Sequence, residues 1–197
     1  MEQWDLQWFA WLAGGYAPKP ALLALAKLLA VYGPVLVGAV VAWQFLRFRQ
    51  ERMYLLGALL MCLLSGLLSH RLAISIGHPR PFMLGLSPAY IAHAARGSMP
   101  SVHASTLFTV AFCLLWSAPL RAGGWVALLV AAAVGWARVY CGVHFPLDIV
   151  AGAALGLNVA VMYDWLWIRF GAVRVGAAAK QPAAEIRPPS APVSLPD

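Results

Sequence analysis

Three short stretches hold most of the residues able to do chemistry. The most specific is Arg138-x5-His144-x3-Asp148. Pro146 fits the first turn of a helix, so His144 lies at that helix's N-terminal edge and Asp148, four residues on, shares its face. A carboxylate there can hydrogen-bond one imidazole nitrogen, fix the tautomer and support the imidazolium formed when the other nitrogen attacks. Arg138, near the end of the preceding helix, can face the same pocket. A structural His–Asp pair is the plainer reading. A metal site built from His103, His144 and Asp148 is a further alternative, opposed by the arginines that converge on the same region.

The second stretch is Gly77–Phe82, GHPRPF, where Pro79 and Pro81 fix the backbone around Arg80 just past a helix end. A rigid guanidinium fork there can bind phosphate oxygens, or it is an ordinary interfacial arginine facing head groups. The third is Ser98–Ser105, SMPSVHAS. Pro100 is placed to start a helix, and Ser98 or Ser101 can cap it. The free N–H groups near Val102 and His103 then form an anion site, with His103 beside it. The alternative is a capped helix carrying a surface histidine.

The elements that must position these residues follow from composition. The 197 residues are 62% hydrophobic and 11% charged, and mean hydropathy is +0.75. That predicts an all-α integral membrane protein. A spanning helix needs ~20 mostly apolar residues. Five runs qualify, roughly 21–46, 53–76, 103–120, 124–142 and 147–169. Trp4, Trp8, Trp11 and Leu12 share a helical face with Asp5 elsewhere, which predicts an N-terminal helix lying in the interface. A sixth, short or re-entrant span there is the alternative. The expected architecture is therefore a polytopic bundle of five helices, or six, in a membrane domain over 1–170. Residues 171–197, with five prolines from Pro182 to Pro196, are expected to form a disordered tail. Cys62, Cys113 and Cys141 suggest no disulfide framework, and the N-terminus, with Glu2 and Asp5 and no early Lys or Arg, does not resemble a cleaved signal peptide.

The net charge is +7, but basic residues cluster beside apolar runs, a pattern of topology signals rather than of a nucleic-acid surface. The 47–52 loop, RFRQER, Arg121, and the tail with Arg169, Arg174, Lys180 and Arg187 should all lie on the cytoplasmic side. The 77–102 connection, the 138–146 turn and the N-terminus then lie together on the other face. Those two connections hold most of the remaining ionisable residues, which are costly at a membrane and so are candidates for function.

Together the three stretches resemble the type 2 phosphatidic acid phosphatase superfamily of membrane lipid phosphatases. Its signatures Lys-x6-Arg-Pro, Pro-Ser-Gly-His and Ser-Arg-x5-His-x3-Asp correspond here to Arg80-Pro81, Pro100-Ser101-Val102-His103 and Arg138-x5-His144-x3-Asp148. The resemblance covers about residues 20–170. The forms HPRPF and MPSVHA, with the short chain, are similar to the bacterial undecaprenyl-diphosphate phosphatase branch. Three positions depart from the pattern: Ala73 stands where Lys is expected, Val102 replaces Gly, and Ala137 replaces Ser. Arg71, two residues before Ala73, lies roughly 200° round the helix and cannot simply substitute. Arg96 or His78 is the expected source of the missing charge.

The resemblance implies phosphoryl transfer with no metal or cofactor. His144 is then the nucleophile, Asp148 its partner, and His103 the leaving-group acid. Arg80, Arg138, Ser101 and the backbone near Val102 hold the phosphate, with Arg96 as the added cation. The expected substrate is undecaprenyl diphosphate in the bacterial inner (cytoplasmic) membrane, with the site on the periplasmic face and the C-terminus cytoplasmic. Phosphatidate, phosphatidylglycerol phosphate, lipid A and transfer to a lipid acceptor stay open. The non-enzymatic alternative is an anion-binding membrane protein or small transporter. The apolar loop from Phe82 to Ala95 is expected to guide the lipid's phosphate inward, with His93 incidental to the chemistry.

Overall fold

The computed structural model describes residues 3–171. The tail expected to be disordered lies outside them, apart from residue 171. Six α-helices follow one another: α1 (Gln3–Leu12), α2 (Pro20–Arg47), α3 (Arg52–Ile76), α4 (Val102–Trp116), α5 (Arg121–Tyr140) and α6 (Pro146–Leu166). Among the described residues, four stretches are long and apolar enough to cross a membrane: 20–47, 49–84, 118–140 and 146–170. The third expected span, 103–120, forms α4, which is only 15 residues long. It stops at Ser117, two residues before Pro119, and a 3-10 turn over Ala118–Leu120 leads into α5, which starts three residues earlier than expected.

The helices turn small residues inward and large ones outward. On α2 the buried stripe is Ala26, Ala30, Gly33, Val37, Val41 and Gln44, while Leu25, Leu28, Val35 and Leu46 are exposed. Spacings of three and four keep that stripe on one face. Large apolar side chains facing out mark lipid, not water, as the surrounding solvent. Trp4, Trp8 and Trp11 of α1 are likewise exposed, with Asp5 and Phe9 on its buried face.

Helix α4 is the centre, packed by α3, α5 and α6. Its approach to α6 is closest at Gly152 and Gly156. A Cβ on Gly152 would come within 2.7 Å of the Ala104 Cβ, and one on Gly156 within 2.7 Å of the Ser105 carbonyl. This G-x3-G face lets two backbones pack directly, as small residues do between membrane helices. The Ser101 N–H donates to the Asp148 carbonyl at 3.0 Å, tying the two helix starts together.

The two ends of the bundle are chemically different. At one, Ser117 Oγ donates to Glu51 Oε2 at 3.1 Å and Gln44 Nε2 to the Leu120 carbonyl at 2.8 Å, joining the 48–51 and 117–121 connections. At the other, Tyr16 Oη donates to the Gly85 carbonyl at 3.0 Å, Tyr90 Oη to the Gly15 carbonyl at 2.8 Å, and the Gly14 N–H to the Tyr140 carbonyl at 3.0 Å. The N-terminal segment, the 77–101 loop and the 141–145 turn thus share one end, the grouping expected from the arginine distribution.

Candidate active site

Pro146 is the first residue of α6, with Phe145 extended before it. That turn places His144 beside Asp148. His144 Nδ1 lies 3.2 Å from Asp148 Oδ2, which also accepts the Phe145 N–H at 2.8 Å. The other oxygen, Oδ1, accepts from Ser98 Oγ at 3.1 Å and faces His78 Nδ1 at 3.5 Å. The carboxylate is fully buried and held on both oxygens. It is the acceptor for His144 Nδ1–H, so Nε2 carries the lone pair.

That Nε2 faces two groups. Arg80 Nη1 lies 3.2 Å away and Ser101 Oγ 3.4 Å away. A guanidinium only donates, which independently requires Nε2 to be unprotonated. Burial pulls the His144 imidazole down to about 4, against the Asp148 hydrogen bond that raises it. The neutral ring at pH 7 is the nucleophilic form.

Arg80 is fixed by backbone carbonyls. Nη1 donates to Val143 O at 2.8 Å, Nε to Arg96 O at 3.0 Å and Nη2 to Gly97 O at 3.1 Å. Arg138, in the last turn of α5, gives Nη2 to His93 at 3.2 Å, and its buried Nε has no partner among the described residues. Arg80 and Arg138 are 5% and 3% exposed, yet neither pairs with a carboxylate among the described residues. Two buried guanidinium groups without a counter-ion are costly, several kcal/mol each on the order usual for buried ions. An anion bound beside them would offset that cost.

Ser101 is the N-cap of α4, accepting the Ala104 N–H at 3.5 Å. The N–H groups of Val102 and His103 are left without intrahelical acceptors, as at any helix start. Pro100 therefore precedes the cap rather than opening the helix. Ser98 is not the cap: its hydroxyl serves Asp148 and His78 instead.

Arg80, Ser98 and Val102 line a cavity of about 190 Å³ with Ala73, His93, Arg96, His103 and His144 on its walls. Arg138, Ser101 and Asp148 are not wall residues, but each contacts one, Arg138 through His93 and the other two through His144. His103 and Arg96 are thus brought to the site. His78 is not a wall residue. Its ring is turned to Ser98 and Asp148, on the Nδ1 side of His144, so it cannot supply the cation missing at Ala73. Arg71 is exposed and also absent from the walls.

Two residues, His70 and Asp5, escaped the sequence reading, and a third, His93, stands closer to the site than expected. His93, expected to be incidental, lines the cavity with its ring centroid 5.6 Å from that of His144. His70 lines it from α3, one turn before Ala73; the i, i+3 spacing to Ala73 was the available signal. Asp5 reaches across 142 residues to accept the Leu147 N–H at 3.0 Å, and Phe9, one turn on, packs on Phe145 at 5.2 Å. The buried face of α1 therefore braces the turn that carries His144 and Asp148.

Residues 54–171 match the PAP2 superfamily. The putative undecaprenyl-diphosphatase YbjG of Escherichia coli is 34% identical over 94 residues, 48% of this chain and 47% of that protein. Undecaprenyl-diphosphatase BcrC of Bacillus subtilis is 26% identical over 121 residues, 61% of this chain and 60% of that one. The matches to these two curated relatives thus span about half to three fifths of their length. Among solved structures, that of Aquifex aeolicus LpxE superposes with a TM-score of 0.67 at 26% identity, covering 82% of this chain and 95% of its own.

Proposed function

Because the chain belongs to the PAP2 superfamily of membrane lipid phosphatases, we propose that it removes the terminal phosphate of a lipid diphosphate, undecaprenyl diphosphate first, through a phosphohistidine and without a metal. The observation that carries this reading is the pair of buried guanidinium groups, Arg80 beside the unprotonated His144 Nε2 and Arg138 on His93, neither with a carboxylate partner among the described residues. An ordinary ion-pair network leaves no such deficit. The undecaprenyl preference is supported by the similarity to YbjG and BcrC, both named as undecaprenyl-diphosphatases.

In the first step His144 Nε2 attacks the terminal phosphorus and the bond to the bridging oxygen breaks. Burial and the nearby Arg138 hold the His103 imidazole down to about 3, so it takes up a proton as the charged phosphate binds beside it and gives that proton to the bridging oxygen. Asp148 stabilises the positive charge arising on His144 through Nδ1. In the second step neutral His103 takes a proton from water, which attacks phosphorus and breaks the P–N bond. Phosphate leaves and both histidines return to their starting states. Acid–base assistance of this kind contributes ~10²–10⁴-fold. Arg80, Arg138, Arg96, Ser101 Oγ and the Val102 and His103 N–H groups hold the phosphoryl oxygens as charge moves. Arginines here supply the charge that magnesium supplies in kinases.

The test is phosphate release by purified protein from undecaprenyl diphosphate, phosphatidate, phosphatidylglycerol phosphate and lipid A, with excess EDTA present. Release from undecaprenyl diphosphate that is fastest and chelator-resistant is expected. Activity restored only by a divalent ion contradicts the anion-site reading. Transfer to an added lipid acceptor, with no free phosphate, assigns the second step to a lipid rather than to water.

The same reading orients the chain. The 47–52 loop lies in the cytoplasm and the cavity opens on the outer face of a bacterial cytoplasmic membrane, as the arginine-rich connections favour. Single cysteines at 50 and 95 should label from opposite sides of intact cells. Labelling from one side only overturns that orientation.

A further inference from the structure

The buried guanidinium of Arg138 makes one side-chain hydrogen bond among the described residues, and it goes to a neutral ring rather than to an acid. That ring belongs to His93, in the loop before α4, and neither residue's motif accounts for the other. Because Arg138 Nη2 only donates, His93 Nε2 must accept, and its single proton sits on Nδ1. Burial, with Arg80 and Arg138 nearby, pulls His93 down to about 3, so the ring stays neutral across the working range. The His93 ring also lines the cavity, 5.6 Å from the His144 ring and inclined to it by 64°.

We propose that His93 is a positioning residue for phosphoryl transfer: by accepting one N–H of Arg138 it fixes the plane of that guanidinium and leaves the remaining N–H groups to the phosphate. A carboxylate in the same place would neutralise Arg138 and weaken its hold on the substrate. A neutral acceptor orients the guanidinium and leaves its charge uncompensated. The Nε of Arg138 is buried without a hydrogen-bond partner among the described residues, so His93 is the side chain that sets the guanidinium plane. This inference rests on the phosphatase reading and extends it to a residue outside the three motifs.

The test separates orientation from packing. His93→Phe keeps a ring against His144 but has no acceptor. His93→Gln restores a side-chain oxygen to Arg138. Expected for His93→Phe is a loss of roughly tenfold or more in kcat/KM and a matching weakening of vanadate inhibition. His93→Gln should recover most of both. In an Arg138→Ala background, His93→Phe should add less than about threefold, because residues acting through one another are not additive. Wild-type activity in His93→Phe, or a full additional loss on top of Arg138→Ala, overturns the proposal. If the Phe variant does not accumulate, His93→Gln decides alone: a loss as large as that of His93→Ala removes the orienting role. Absence of phosphate release by the wild-type protein, by contrast, is a failure of the phosphatase reading and is seen before any variant is made.

Discussion

His144 Nδ1 and Asp148 Oδ2 lie 3.2 Å apart across the first turn of α6, with the carboxylate also gripping the Phe145 N–H at 2.8 Å. One acid thus caps the helix and sets the tautomer of the imidazole that precedes it. The same group that starts the helix aims the nucleophile. Asp148→Asn keeps the size but can present an amide N–H to Nδ1, favouring the wrong tautomer. Turnover should fall by roughly 10²–10⁴-fold, while His144→Ala should abolish both turnover and any acid-labile phosphoenzyme. An Asp148→Asn variant with more than half the wild-type rate removes the tautomer role.

The pH profile follows from the burial of His144. Its neutral form attacks, and burial holds it at about 4 rather than the ordinary histidine range. Activity should therefore persist as pH falls through 6.5 and be lost only nearer 4, read in the acid limb of kcat/KM. Asp148 raises the value, so Asp148→Asn should move that limb to still lower pH. An acid limb near 6.5 in the wild type, unchanged in the variant, contradicts the assignment of His144.

His103 borders the cavity from the first turn of α4. If it protonates the departing oxygen, His103→Ala should slow lipid substrates by ~10²-fold or more, since their leaving groups need the proton. An aryl phosphate, with a better leaving group, should be partly spared. Equal losses on both substrates assign His103 to phosphate binding alone.

The cation missing at Ala73 gives a paired comparison. Arg96 lines the cavity and Arg71 does not. Arg96→Ala should cost at least about tenfold in kcat/KM, the loss of one charge-assisted contact to phosphate. Arg71→Ala should stay within about twofold at equal membrane levels. The reverse order places the added charge on the wrong element. Full activity in both leaves His70, on the same wall one turn from Ala73, as the group to remove next.

The sequence alone determined what is local. Composition and run length set the class and the apolar helices, because one ~20-residue stretch must satisfy its own backbone in lipid. Spacing set the His144–Asp148 pair, because four residues return a helix to the same face. The family signatures marked Arg80, His103 and Arg138. Tertiary structure decided the rest. Ser98 is a donor to Asp148 and not a cap because a loop folds over α6, which no spacing states. His93 joins the site only because its loop meets the end of α5 across 45 residues. Asp5 joins it across 142, through a helix whose tryptophans advertised only an interface. Such contacts depend on which helix faces meet, and the meeting is set by packing at places like Gly152 and Gly156, not by the periodicity of any single element.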